Sequence, residues 1–158
     1  LCRFYADVVN LKPKAVVILA GINDIAGNKG PMDDRHIAEN IFSMAEIARQ
    51  NGIRPLIASC LPCDTIPWNA AIVNTAGHVA NLNQMLSDYA EANGITYVDY
   101  FSALGNPDGS LKSEYTNDSL HPNRAGYDVM EPIVLQALKS KAPVRKSDVR
   151  RHNKRGRR

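Results

Sequence analysis

The chain alternates between two hydrophobic textures. Ala15-Val16-Val17-Ile18-Leu19-Ala20 is an unbroken apolar run of strand length. Such runs, apolar on both faces, belong to buried parallel sheets rather than to half-exposed hairpins. Met32 to Gln50 follows with Ile37, Ile41, Met44 and Ile47 spaced to fall on one helical face, and Asn51-Gly52 as the stop. Pro55 to Cys60 reads as a second strand, and Leu61 to Asn69 as a Pro-rich loop. Val73 to Asn93 is a second helix, with Val79, Leu82, Met85, Leu86 and Tyr89 along one face and Asn93-Gly94 closing it. Ile95 to Tyr100 is a third strand. Asn106 to Asn123 is long, polar and rich in turn formers, and long loops in compact domains tend to carry function. A last helix is expected from Arg124 to Lys141, with Pro132 near its first turns as a kink. At the other end, Leu1 to Asn10 reads as the tail of an amphipathic helix stopped by Pro13.

Strand, helix, strand, helix, strand, loop, helix implies right-handed crossovers and a parallel sheet covered on both faces by helices. Ligands of such sheets bind beyond the carboxyl ends of the strands. Gly21-Ile22-Asn23-Asp24 comes directly off the first strand, so topology alone sets it at that end.

A length of 158 residues suits one domain with a real core. Hydrophobic residues make up 44% and charged ones 22%, with no apolar run of about 18 residues, which excludes a membrane-spanning helix. The net charge of +3 conceals two parts. Residues 141–158 hold nine Lys/Arg and one acid, +8, so the rest, with ten basic and fifteen acidic residues, carries −5. The expectation is an α/β domain over residues 1–141 and a basic, solvated, disordered tail over 142–158. With an acidic body and basic residues clustered only in the tail, no specific nucleic-acid partner is expected. Three cysteines, Cys2, Cys60 and Cys63, cannot all pair within one chain, so no disulfide framework is expected.

Candidate chemistry lies in two blocks. Asp118-Ser119-Leu120-His121-Pro122 offers a carboxylate three positions before an imidazole. An imidazole, with an ordinary pKa of about 6.5, suits proton transfer at neutral pH. Asp118 would orient it and stabilise the imidazolium as it forms. Asn23 would donate a side-chain amide hydrogen to an oxyanion, Gly21 would permit a sharp turn off the strand, and Asp24 would fix the loop through backbone hydrogen bonds. Each block alone has an ordinary explanation: Asn-Asp after a strand is a common turn, and a histidine before a helix is a frequent surface residue. Their co-occurrence, in this order on an α/β alternation, points to acyl transfer.

The two blocks resemble the third and fifth conserved blocks of the SGNH (GDSL-type) esterases and lipases, over roughly Leu1 to Lys141. The stretch from Leu56 through Trp68 is similar to bacterial acetylhydrolase and carbohydrate-esterase members. The resemblance implies a three-layer α/β/α flavodoxin-like fold, incomplete here at its amino-terminal end. It implies a serine-type hydrolase of small acyl esters of carbohydrate or lipid, with a small-molecule ester as partner and no cofactor or metal. Asn23 matches the family's oxyanion asparagine, and Asp118 and His121 its triad acid and base. The Gly-Asp-Ser block with the nucleophile and the second-block glycine have no counterpart in this chain. Serines 43, 59, 87, 102, 110, 113, 119, 140 and 147 all lack that context. Ser59, near a strand end, is the least unsuitable substitute. The chain alone is therefore expected to lack esterase activity. A signal peptide ahead of Leu1 would make the protein periplasmic or secreted. Oligomeric state has no signature in the sequence.

Two other readings compete. One is a catalytically degenerate binding domain. The other is a thiol redox protein built on Cys60-Leu61-Pro62-Cys63, which would need an acidic thiol. Asp64 and Pro67 make that setting unfavourable, and as half of a metal site the pair has no second half, so buried strand-end thiols are expected. His36 and His78 fall at polar helical positions, and His152 in the tail, with no role assigned. Trp68 is read as an anchor of its loop, with pocket lining as the alternative.

Overall fold

The computed structural model describes residues 1–143. Most of the expected basic tail, with Ser147 and His152, lies outside the described residues. Three parallel strands, β1 (Ala15–Ile18), β2 (Arg54–Ala58) and β3 (Thr96–Val98), pair in the order β1-β2-β3. Val17 stands opposite Leu56, and Ala58 opposite Val98. The helices are α1 (Phe4–Asp7), α2 (Ile22–Ile25), α3 (Asp34–Gln50), α4 (Thr75–Asn93), α5 (Phe101–Leu104) and α6 (Arg124–Lys139).

Strand alternation sends successive side chains to opposite faces, and this divides the interior in two. Ile18 and Ile57 join Ile37, Ile41, Leu82 and Leu86 beneath α3 and α4. Leu56, Ala58 and Val98 join Leu104, Leu111 and Met130 beneath α5 and α6. The result is the expected three-layer α/β arrangement. Among the described residues no helix is long and apolar enough to cross a membrane.

Several elements differ from the sequence expectation. The run over 15–20 looked buried on both faces, yet Ala15, Val16 and Val17 are only half-buried and Leu19 is exposed. The reason is position: among the described residues β1 is an edge strand, paired on one side only. The amino-terminal helix is a single turn followed by a 3-10 turn over Val9–Leu11, ended by Lys12 in the left-handed region at φ 50. Pro132 lies midway along α6, not in its first turns. The short helices α2 and α5 and a 3-10 turn over Ser113–Tyr115 had no sequence expectation, being too brief to show a period.

α3 begins where Asp33 caps it, its side chain accepting from the His36 backbone N–H. His36 Nδ1 also lies 2.9 Å from Asp33 Oδ2, so this exposed histidine belongs to the cap. His78 ties α4 to the start of α3, its Nδ1 2.9 Å from Asp34 Oδ1, while Asn81 donates to the other carboxylate oxygen.

Candidate active site

The carboxyl ends of β1 and β2 and the loop before α6 converge on one cavity of about 220 Å³. Leu19, Ala20, Ile22 and Asn23 come from beyond β1; Cys60, Leu61, Pro62 and Trp68 from beyond β2; Leu120, His121, Pro122 and Tyr127 from the third side. Asn23 and His121, nearly a hundred residues apart in the chain, thus border one cavity from different sides. This is the location topology predicts for a parallel sheet.

On the β1 side the backbone must turn at once from strand into helix. Gly21 makes the turn at φ 122, a region closed to most side chains, and caps α2. A Cβ there would sit 2.6 Å from Leu82 Cδ2. Asn23 follows on α2, with its Oδ1 accepting from Asn28 Nδ2 at 3.0 Å. That leaves the amide hydrogens of Asn23 as its free functionality. Asp24 holds the loop through its backbone: its N–H donates to the Gly21 carbonyl and its own carbonyl accepts from Gly27. Its side chain lies on the wall of a separate cavity of about 170 Å³, beside Asp34 and His78.

On the third side, Asp118 organises its own loop. One carboxylate oxygen accepts the backbone N–H of His121 at 2.7 Å and of Leu120 at 3.0 Å. The other lies 2.7 Å from His121 Nδ1. The His121 backbone bond, then its ring, then the Leu120 N–H hold the Asp118 carboxyl well below the usual carboxylate range. Ser119 takes the left-handed region at φ 64 to close this curl. Thr116 Oγ1 donates to the His121 carbonyl at 2.8 Å. Asn123 then caps α6 by accepting from Gly126 and donates to the Glu114 carbonyl, anchoring the loop to the helix. With Nδ1 facing Asp118, Nε2 is the ring nitrogen left for a reacting group. The His121 side chain is 72% exposed, so the pair stands open to solvent.

Among the described residues no serine lines the cavity. Ser59 is fully buried, and its Oγ accepts the Tyr100 and Phe101 backbone N–H groups, both at 2.9 Å, so it stabilises the start of α5. That structural employment removes it as a substitute nucleophile. Ser43, Ser102, Ser110 and Ser140 each donate to a residue a few positions earlier in the sequence.

Cys60 reaches the cavity wall, but it is a free, buried thiol, as is Cys63. Burial first, then the neighbouring Cys63, pushes the Cys60 thiol up to about 12, and burial pushes Cys63 up to about 11. These are the opposite of the acidic thiols that redox chemistry needs. Among the described residues no cluster of three or more His, Cys, Asp or Glu could hold a metal ion.

Three contributors went unread in the sequence. Asn83, on the buried face of α4, accepts the Cys60 N–H at 2.7 Å and donates to the Cys60 carbonyl at 3.0 Å, pinning the β2 end that forms the cavity wall. The available signal was an asparagine between Leu82 and Leu86 on an apolar stripe, where burial demands a partner. Asn28 and Tyr127 had no signal, since their relevance depends on chain crossings that spacing does not encode. Trp68 does both things considered for it: it lines the cavity and its indole N–H ties its loop to Asn28 at 3.2 Å.

Comparison with known proteins identifies relatives of this fold. The chain superposes on a GDSL-like lipase from Bacteroides thetaiotaomicron with a TM-score of 0.85 and 39% identity, covering 87% of this chain and 68% of that one. A Bacteroides fragilis protein assigned as an acylhydrolase gives 0.84 and 41%, covering 86% and 66%. An uncharacterized lipoprotein of Bacillus subtilis is 35% identical over 63 residues, 38% of this chain and 26% of that protein. The matched stretch therefore spans about a quarter of that relative's length. The family model of GDSL-like lipases and acylhydrolases matches residues 2–129. With most of its length matched and the fold shared, this chain belongs to the GDSL-like lipase/acylhydrolase family.

Proposed function

We propose that this chain supplies the base, its orienter and an oxyanion donor for hydrolysis of small acyl esters, with the nucleophile provided from outside these residues. The observation that carries the reading is that Asn23 and His121 border one cavity while Asp118 holds His121 by Nδ1. His121 Nε2 takes the proton of a serine hydroxyl as its oxygen attacks the ester carbonyl. The carbonyl oxygen becomes an oxyanion and accepts from the Asn23 amide. Asp118, ionised throughout the neutral range, stabilises the imidazolium. The imidazolium then protonates the leaving alcohol, and water enters by the same route in reverse to release the acid.

A cavity of about 220 Å³ suits a short acyl group such as acetyl, with the alcohol portion extending toward solvent past Trp68 and Tyr127. A carbohydrate or lipid alcohol is the class we favour, on the family resemblance. Among the described residues no serine reaches the cavity wall and β1 is paired on one side only, which supports a further strand carrying the nucleophile beside β1.

The test is p-nitrophenyl acetate turnover by the 158-residue chain and by a form extended upstream of Leu1. We expect turnover by the extended form only, and its loss in His121→Ala. Robust turnover by the 158-residue chain, or an undiminished rate in the His121→Ala form, overturns the proposal. A degenerate domain that binds esters without cleaving them is favoured only by the missing serine, and it predicts an inert extended form.

A further inference from the structure

Beyond the three groups assigned above, we infer that Trp68 and Asn28 form an amide relay that sets which end of the Asn23 side chain faces the cavity. The inference rests on the proposed role of Asn23.

An asparagine side chain has an oxygen end that only accepts and a nitrogen end that only donates. As oxyanion donor, Asn23 is useful in one of two orientations related by a half-turn. The choice is made by what holds its other end. Trp68 settles the first link, because an indole N–H only donates: at 3.2 Å it can face only the Asn28 oxygen. With Asn28 Oδ1 so committed, its nitrogen end points away and donates to Asn23 Oδ1 at 3.0 Å. Asn23 Oδ1 is then occupied, and its N–H groups remain for the cavity. Reversing Asn23 would set two N–H ends against each other, and reversing Asn28 would confront it with the indole. One unambiguous donor thus fixes the polarity of two amides in series, and hydrogen bonds in such chains reinforce one another.

The surrounding backbone keeps the relay in register. The Asn28 N–H donates to the Asn23 carbonyl at 3.2 Å, and Asn69 Nδ2 donates to the Ala26 carbonyl at 2.9 Å, which staples the Pro-rich loop to the segment after α2. Trp68 also lines the cavity, at 54% exposure, so the same side chain borders the ligand space and, through its N–H, orients the donor. Asn28 and Trp68 are positioning residues: they act through Asn23.

Trp68→Phe keeps an aromatic, though smaller, ring on the cavity wall and removes the N–H; Asn28→Ala removes the link without touching that ring. In the extended form, each should lower kcat about fivefold with KM unchanged, the value of one net hydrogen bond. The double variant should lose no more than Asn28→Ala alone, because both break the same chain. Asn23→Ala, measured alongside, should cost about a hundredfold or more. If Asn23→Ala is costly while both single variants retain full kcat, or their losses multiply, or Trp68→Phe raises KM alone, the relay is wrong and the oxyanion role stands. If Asn23→Ala turns over normally, the oxyanion role fails instead. A readout independent of activity is available on the 158-residue chain, where Trp68 is the one tryptophan and gives one indole N–H resonance. We expect that resonance to move upfield and exchange faster with water in Asn28→Ala, and to respond detectably in Asn23→Ala; an unmoved signal in both refutes the relay.

Discussion

Replacing Asn83 by leucine probes how the cavity wall is held. Asn83 is 8% exposed and bonds both polar groups of the Cys60 peptide, at 2.7 and 3.0 Å. Leucine is close in shape but can neither accept nor donate, so a buried N–H and a buried carbonyl lose their partners together. Each such loss costs about 1–3 kcal/mol, which the added apolar burial of leucine offsets by about 1–2 kcal/mol. The net destabilisation should centre on about 2–3 kcal/mol. With a urea m-value of about 2 kcal/mol/M, the midpoint should drop by about 1–1.5 M. Gln84→Leu on the exposed side of the same helix turn is the control, expected within about 0.5 kcal/mol of wild type. Because the wall opens locally, Cys60 should also become reactive before global unfolding. A midpoint for Asn83→Leu equal to that of the control would mean the paired bonds are not what holds the end of β2.

Other consequences can be tested together. Gly21→Ala should destabilise by about 1–3 kcal/mol in thermal or urea melts and, in the extended form, reduce turnover by displacing α2, because φ 122 strains any residue with a Cβ; a neutral substitution would contradict the strained turn. Titration with a thiol reagent at pH 8 should modify Cys2 only, and all three cysteines after denaturation, since burial pushes Cys60 up to about 12 and Cys63 up to about 11; rapid native modification of Cys60 would revive a redox role. Asp118→Asn should be less stable than wild type at neutral pH, and the gap should close in acid. The folded pKa of Asp118 is lowered, so its contribution is present above the unfolded value and is lost as the pH falls below about 4 toward the folded one. A gap that persists unchanged at pH 2 would show that charge is not what Asp118 contributes.

Long periodic segments were legible in the sequence because packing and pattern say the same thing there. Ile37, Ile41, Val79, Leu82 and Leu86 are buried on the faces their spacing named. The continuous run at Ala15–Ala20 misled about burial, since a pattern reports what a strand is built to touch and the described sheet covers only one of its edges. The Gly21 to Asp24 block gave its location correctly, off a strand end, but not that Ile22–Ile25 is itself a helical turn, too short for a period. Asp118 and His121 are three residues apart, so their pairing was readable from a local loop. Asn28 and Asn83 were not, because Trp68 and Cys60 reach them from other segments of the chain.

A crystal structure of the extended form inhibited covalently by a short alkyl phosphonate would examine the site most directly, as the phosphonyl oxygen occupies the place of the oxyanion. The account predicts that oxygen about 2.7–3.1 Å from Asn23 Nδ2, with His121 Nε2 within hydrogen-bonding distance of the modified nucleophile oxygen. A phosphonyl group seated away from this cavity, or one whose oxygen makes no contact with the Asn23 amide, would contradict it.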